Sequence, residues 1–155
     1  MPGSGKSTIG RILAQCIGYD FLDLDAHIAL KEGEKVSDIL VARGDAALSQ
    51  LEEKYALEVP LHKTVFSPGG SIVYSPRAMK RIQKQTKVIF LDVPVSEISE
   101  RIKNTPERGI IGLRARSLEE LYQERLPLYQ AYADYTVCVT RLTEQEVIEA
   151  VCQLM

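Results

Sequence analysis

Short apolar runs alternate with amphipathic stretches along the whole chain. Four runs predict strands, over 19–23, 64–67, 87–93 and 135–140. Val88-Ile89-Phe90-Leu91 is continuously apolar, as a strand covered on both faces should be. Between the strands, the spacing predicts helices over 7–17, 48–59, 75–85, 96–104, 118–133 and 143–154. The first puts Ile9, Ile12, Leu13 and Cys16 on one face, which makes Cys16 a buried filler by expectation. The last opens with Thr143 at a capping position and Glu146 three residues on, a capping-box pattern. Strands alternating with helices of this length call for crossover connections. The expected fold is α/β, a doubly wound parallel sheet with helices on both faces. No repeat or linker interrupts the pattern, so residues 1–155 read as one domain.

Composition sharpens this picture mainly by exclusion. The chain has 155 residues, long enough for a real core without staples, with 45% apolar and 26% charged residues, which argues against disorder. The net charge of −2 offers no global basic field for nucleic acid or an anionic membrane. No apolar run reaches the roughly 18 residues of a membrane span, and the first residues are not a signal peptide. Cys16, Cys138 and Cys152 are odd in number and lack CxxC spacing, so neither a disulfide framework nor a zinc site is indicated. A cytoplasmic setting, a monomer and a small-molecule substrate are the expectations.

The strongest chemical signal stands at the start: Gly3-Ser4-Gly5-Lys6-Ser7-Thr8, opening a helix. Glycines let backbone N–H groups wrap phosphate oxygens, and the helix N-terminus adds its dipole. Lys6 reaches the outer phosphates, and the Ser7 hydroxyl can ligate Mg²⁺. The full phosphate-loop motif is GxxxxGKS, whose first glycine would lie one position before Met1, after a strand that is normally central in such a sheet. The sequence therefore predicts a slot bordered by two unpaired strand edges, unless another segment fills it. An upstream start is the expectation.

Asp23 and Asp25 stand two apart where a strand ends, and at strand spacing both project to one side. Phosphoryl transfer needs carboxylate in two places. One orders hydrated Mg²⁺, the other orients or deprotonates the attacking hydroxyl. A second signal is the window 101–116, with Arg101, Lys103, Arg108, Arg114 and Arg116 against the one acid Glu107, and with Gly109 and Gly112 around two isoleucines. A basic, glycine-containing loop between helices suits a phosphate-covering lid, expected at about 101–117. His27 and His62 are isolated and read as surface or packing residues. Tyr122, Tyr129 and Tyr132 recur at helical spacing and should pack one face with their hydroxyls at the rim.

With these blocks in place, the sequence resembles the shikimate kinase family of small P-loop kinases along nearly its whole length. GSGKST at 3–8 matches the nucleotide loop. Phe21-Leu22-Asp23-Leu24-Asp25, with Ile28 and Gly33, matches the family's second-strand motif. Arg43-Gly44-Asp45-Ala46-Ala47-Leu48, with Glu52 downstream, resembles its RGE-type helix. Ser67-Pro68-Gly69-Gly70-Ser71 sits at the glycine-rich turn, and Arg125-Leu126-Pro127-Leu128-Tyr129 matches RxPLY.

The resemblance implies ATP and Mg²⁺ as cofactors. It gives Gly3, Ser4, Gly5, Lys6, Ser7, Thr8, Arg101 and Arg108 to the nucleotide, with Arg101 at the adenine. Ser7 and Asp23 would hold the metal. Lys6, Asp25 and Arg108 would be catalytic, with Asp25 the base. The acceptor would meet Asp25, the backbone of Gly69 and Gly70, and Arg125 against its carboxylate, within a region at about 25–60 and beyond. Two departures bear on that acceptor. Ser49 stands where the family has an arginine, and Ser71 replaces the third glycine of the turn. The implied activity is phosphorylation of shikimate to shikimate 3-phosphate. A related kinase with another hydroxylated acceptor, or a nucleotide-binding module without turnover, stays open at this level.

Overall fold

The structure is a computed structural model and describes residues 1–103, 109–140 and 142–154. Helix α1 (Lys6–Ile17) starts at Gly5, whose φ of 86° is a left-handed conformation that glycine adopts without steric cost. It stops at Gly18, whose N–H closes the last turn onto Ala14 and Gln15. Its buried face is Ile9, Gly10, Leu13 and Ala14. Cys16 is exposed, against expectation, because the helix lays the 9–10–13–14 stripe on its neighbours and turns position 16 outward.

Strand β1 (Asp20–Asp23) pairs in parallel with β2 (Thr64–Ser67), setting Phe21 opposite Val65 and Asp23 opposite Ser67. Between them run α2 (Leu24–Glu32) and α3 (Val36–Glu58), the latter bent at Gly44. The sequence pattern missed α2 and the first half of α3. A 3₁₀ turn over Gly70–Tyr74 then leads into α4 (Pro76–Gln85), capped by Ser75. Strand β3 (Ile89–Asp92), α5 (Val95–Lys103), α6 (Leu118–Tyr132), β4 (Tyr135–Cys138) and α7 (Glu144–Cys152) complete the order. Both expected capping residues of α7 make their bonds, as do Ser117 and Glu120 at the start of α6.

The strands are all parallel, but they form two pairs, β1–β2 and β3–β4, and not one continuous sheet. A cavity of about 520 Å³ lies between the pairs, walled by β2, β3 and apolar side chains such as Leu13, Ile72, Met79 and Phe90. No strand among the described residues occupies it. Among the described residues no helix is long and apolar enough to cross a membrane.

Helices α2 and α3 pack on each other through Leu24, Ile28, Ile39 and Leu48, all at most 1% exposed. Its packing can be tested directly. Ile28→Ala should lower unfolding free energy by about 2–5 kcal/mol in equilibrium denaturation, through lost transfer energy and the cavity left behind. A loss below about 1 kcal/mol would show that the hairpin frays independently of the core.

Candidate functional site

The phosphate loop and the end of β1 meet through one short contact. Ser7 at the start of α1 donates from Oγ to Asp23 Oδ2 at 2.6 Å, and the Ser67 hydroxyl lies 3.3 Å from Ser7 Oγ. The other Asp23 oxygen, Oδ1, accepts from the backbone N–H groups of Asp25 at 3.0 Å and Ala26 at 3.2 Å. Asp23 is thus the N-cap of α2, and Asp25 sits in that helix's first turn. The sequence put both carboxylates on one side by strand spacing; the chain instead turns into a helix at Leu24, so Asp25 is placed by the first turn of α2. Gly5 brings no side-chain acceptor to the first turn of α1, which leaves that end of the helix open to an external anion.

Lys6, Ser7, Asp23 and Asp25 line a second cavity, of about 420 Å³, together with Glu52, Gly69, Gly70, Ser71 and Arg125. The larger cavity between the strand pairs is apolar-walled, whereas the charged groups gather in this smaller one. Ser4 is buried and borders the larger cavity, while Thr8 is exposed. Arg101, in the last turn of α5, donates to the Gly3 carbonyl at 3.2 Å and pairs with Glu97, so it abuts the loop from outside the acceptor cavity. Arg108 lies outside the described residues.

Arg125 is 1% exposed. Its Nε donates to the Tyr74 hydroxyl at 3.2 Å, one Nη donates to the Ile111 carbonyl at 2.8 Å, and the guanidinium stacks over the Tyr74 ring. Among the described residues no carboxylate is in ion-pair contact with it. A buried guanidinium bonded to neutral oxygens keeps its charge available for an anion. Tyr74, which holds it, carried no signal in the sequence.

Glu52 is the residue that sequence reasoning named but gave no role. It is 3% exposed in the middle of α3. Its position one turn from Leu48 and Tyr55, inside the apolar stripe of the helix, was the available signal. Ser71 Oγ lies 2.6 Å from each of its carboxyl oxygens. Burial pushes Glu52 up to about 7, and Asp25 adds to that rise, while the Ser71 hydrogen bond, Arg125 and Lys6 oppose it. A side chain is impossible at Gly69 without movement, since a Cβ there would sit 2.3 Å from Glu52 Oε1. The Gly70 carbonyl accepts from the Tyr129 hydroxyl at 2.7 Å. That hydroxyl is buried and its pKa is pushed up to about 12 by burial, so Tyr129 departs from the expected rim position.

The described part of the expected lid, from Gly109 onward, borders this cavity. Gly109, Ile110 and Ile111 line it, Gly109 rests on the backbone of Val36 and Ser37, and Gly112 N–H donates to Asp45 at 3.0 Å. Arg116 pairs with Glu124. His27 packs edge-on against Tyr55 and His62 is exposed, as expected of isolated histidines.

The Ser7 hydroxyl and the Asp23 carboxylate are hard oxygen donors already drawn together. That set suits Mg²⁺, which takes one or two protein oxygens and completes its shell with phosphate and water. Among the described residues no group of three or more His, Cys, Asp or Glu could form a fuller cage.

The family model described as shikimate kinase matches residues 2–155. The shikimate kinase of Thermobifida fusca is 33% identical over 154 residues, covering 98% of this chain and 89% of its own length. That of Persephonella marina is 30% identical over 150 residues, covering 96% and 91%. A solved structure of Acinetobacter baumannii shikimate kinase in complex with shikimate superposes with a TM-score of 0.89 at 26% identity, covering 99% of this chain and 87% of that one. Taken with a phosphate loop, a carboxylate pair and a buried arginine around one cavity, these matches place the chain in the shikimate kinase family, phosphotransferases that act on an alcohol group.

Proposed function

We propose that this chain transfers the γ-phosphoryl group of ATP to a ring hydroxyl of shikimate. The observation that carries the reading is the buried, charge-available Arg125 in the same cavity as Lys6 and Asp25. Such a cavity fits an acceptor with a carboxylate at one end and a hydroxyl at the other. Arg125 binds the carboxylate, and the Gly69–Gly70 turn lies against the acceptor because no side chain there pushes it away. Asp25 accepts a hydrogen bond from the attacking hydroxyl and takes its proton as the oxygen–phosphorus bond forms. Lys6 and the open start of α1 stabilise charge spreading over the transferring group and its leaving oxygen. Ser7 and Asp23 are the groups that would hold Mg²⁺, which when bound neutralises phosphate charge. Arg101, bonded to the Gly3 carbonyl of the phosphate loop, would flank the nucleotide base, and Arg108 would belong to the closing lid.

A second reading, a related kinase for another hydroxylated acid, is favoured by Ser49. This residue is half-buried on α3 and does not line the cavity. Comparison of kcat/KM for shikimate, gluconate and homoserine decides between the two, and shikimate is expected to lead. Arg125→Ala should raise the shikimate KM at least tenfold, or about 1.4 kcal/mol. Ser49→Arg should lower it if the added guanidinium reaches the acceptor. No effect of Arg125→Ala together with impairment by Ser49→Arg would overturn shikimate as acceptor. Nucleotide binding without ATP consumption for every acceptor would overturn turnover itself.

A further inference from the structure

Two carboxyl groups converge on one backbone position in the acceptor cavity. A Cβ built on Gly69 would stand 2.3 Å from Glu52 Oε1 and 3.4 Å from Asp25 Oδ1. In a site where Glu52 is 3% exposed, two neighbouring carboxyls do not both ionise cheaply. Asp25 lies at the more open edge, in the first turn of α2, so Glu52 is the one that keeps the proton.

Ser71 Oγ lies 2.6 Å from each carboxyl oxygen of Glu52 and shares its single hydrogen between them. That bond favours the carboxylate and so opposes the rise that burial and Asp25 impose.

We propose that Glu52 takes part in acceptor binding as a neutral carboxylic acid, so that this chain captures a carboxylate-bearing acceptor together with a proton. The proposal rests on the acceptor reading above. Its physical basis is competition for cationic charge. The groups facing Glu52 are Lys6 from α1, Asp25 from α2, Ser71 from the 3₁₀ turn, and Arg125 and Tyr129 from α6. On α3 itself the residues one turn away, Leu48, Ser49, Tyr55 and Ala56, carry no cation. Lys6 belongs to the phosphates, which leaves Arg125 to serve whichever anion is present. An ionised Glu52 draws on that charge and repels the acceptor's carboxylate, whereas a neutral Glu52 leaves Arg125 to the acceptor. The rise of Glu52 to about 7 sets where the exchange occurs.

The sign follows from linkage. Binding selects the protonated form, so affinity is full below about pH 7 and falls as pH rises through it. The apparent shikimate KM should climb toward tenfold per pH unit above the midpoint, because only the protonated fraction is competent. The KM for ATP should stay flat over the same range. Tyr129, pushed up to about 12 by burial, titrates outside a pH 6–8.5 window.

The test uses the full chain with shikimate as probe, in two readouts. Steady-state profiles between pH 6 and 8.5 are taken for the parent, Glu52→Gln and Ser71→Ala. Glu52→Gln should flatten the KM profile. Ser71→Ala should move its midpoint to higher pH, since the serine hydrogen bond favours the carboxylate. The second readout is carbon NMR of glutamate-labelled protein, in which the Glu52 resonance is the one lost in Glu52→Gln. It should titrate near 7 in the parent and shift upward when shikimate is added, which does not depend on the variant's activity. A midpoint in the ordinary carboxylate range, or one unmoved by bound shikimate, would overturn the proposal while leaving shikimate phosphorylation standing. Absence of shikimate binding at every pH would overturn the acceptor reading and this proposal with it.

Discussion

Lys6→Ala is expected to lower kcat by about three orders of magnitude while leaving the melting temperature within a few degrees of the parent. Lys6 is only half-buried at the first position of α1 and contributes little to the core, so its removal costs little folding energy. Its proposed work is on charge that spreads over the transferring phosphoryl group, an interaction stronger in the transition state than with bound ATP. The loss should therefore appear mainly in kcat, with a smaller change in the KM for ATP. Turnover within a few-fold of the parent would remove Lys6 from the mechanism. A collapse of the melting temperature would instead assign it to structure.

Asp25→Asn is the second large effect, with an expected fall in kcat of about 10²–10⁴-fold, the usual range for a positioned base. The ATP KM should change little, because the proposed partner of Asp25 is the acceptor hydroxyl, while Asp23 accepts from Ser7. The same variant bears on Glu52. Asp25 is one of the causes raising Glu52, so its neutralisation should move the Glu52 midpoint toward lower pH. A loss of ATP affinity with normal kcat would place Asp25 at the metal and exchange its role with that of Asp23. Asp23→Asn would not separate these roles cleanly, since Asp23 also caps α2.

Some of this architecture needed no coordinates. Among the described residues, the alternation of apolar runs and amphipathic stretches placed the four strands, five of the seven α-helices and the second half of α3, because period and length are local properties of the chain. The phosphate loop was legible for the same reason. A glycine that must be left-handed, a lysine and a serine at adjacent positions form a contiguous device with a single mechanical use. Helix α2 escaped notice because its signal is spread over a strand end. Asp23 finishes β1 and caps the next helix at once, so two elements share one residue and no turn separates them.

Tertiary structure decided the rest, and the reason is distance along the chain. Arg125 meets Tyr74 and the Ile111 carbonyl across separations of 51 and 14 residues, and Glu52 meets Ser71 across 19. Each bond is chosen by how α3, α6 and the 3₁₀ turn pack, which no local pattern encodes. Cys16 shows the same limit in reverse, since periodicity put it inward while packing of the 9–10–13–14 stripe left it outside. Sequence by itself determined that the chain is α/β, that it grips phosphate, and which residue types the chemistry uses. Only the folded structure decided that Asp25, Glu52 and Arg125 line one cavity. Burial and the nearness of Asp25 raise the pKa of Glu52 there, and those are properties of surroundings, not of residue identity.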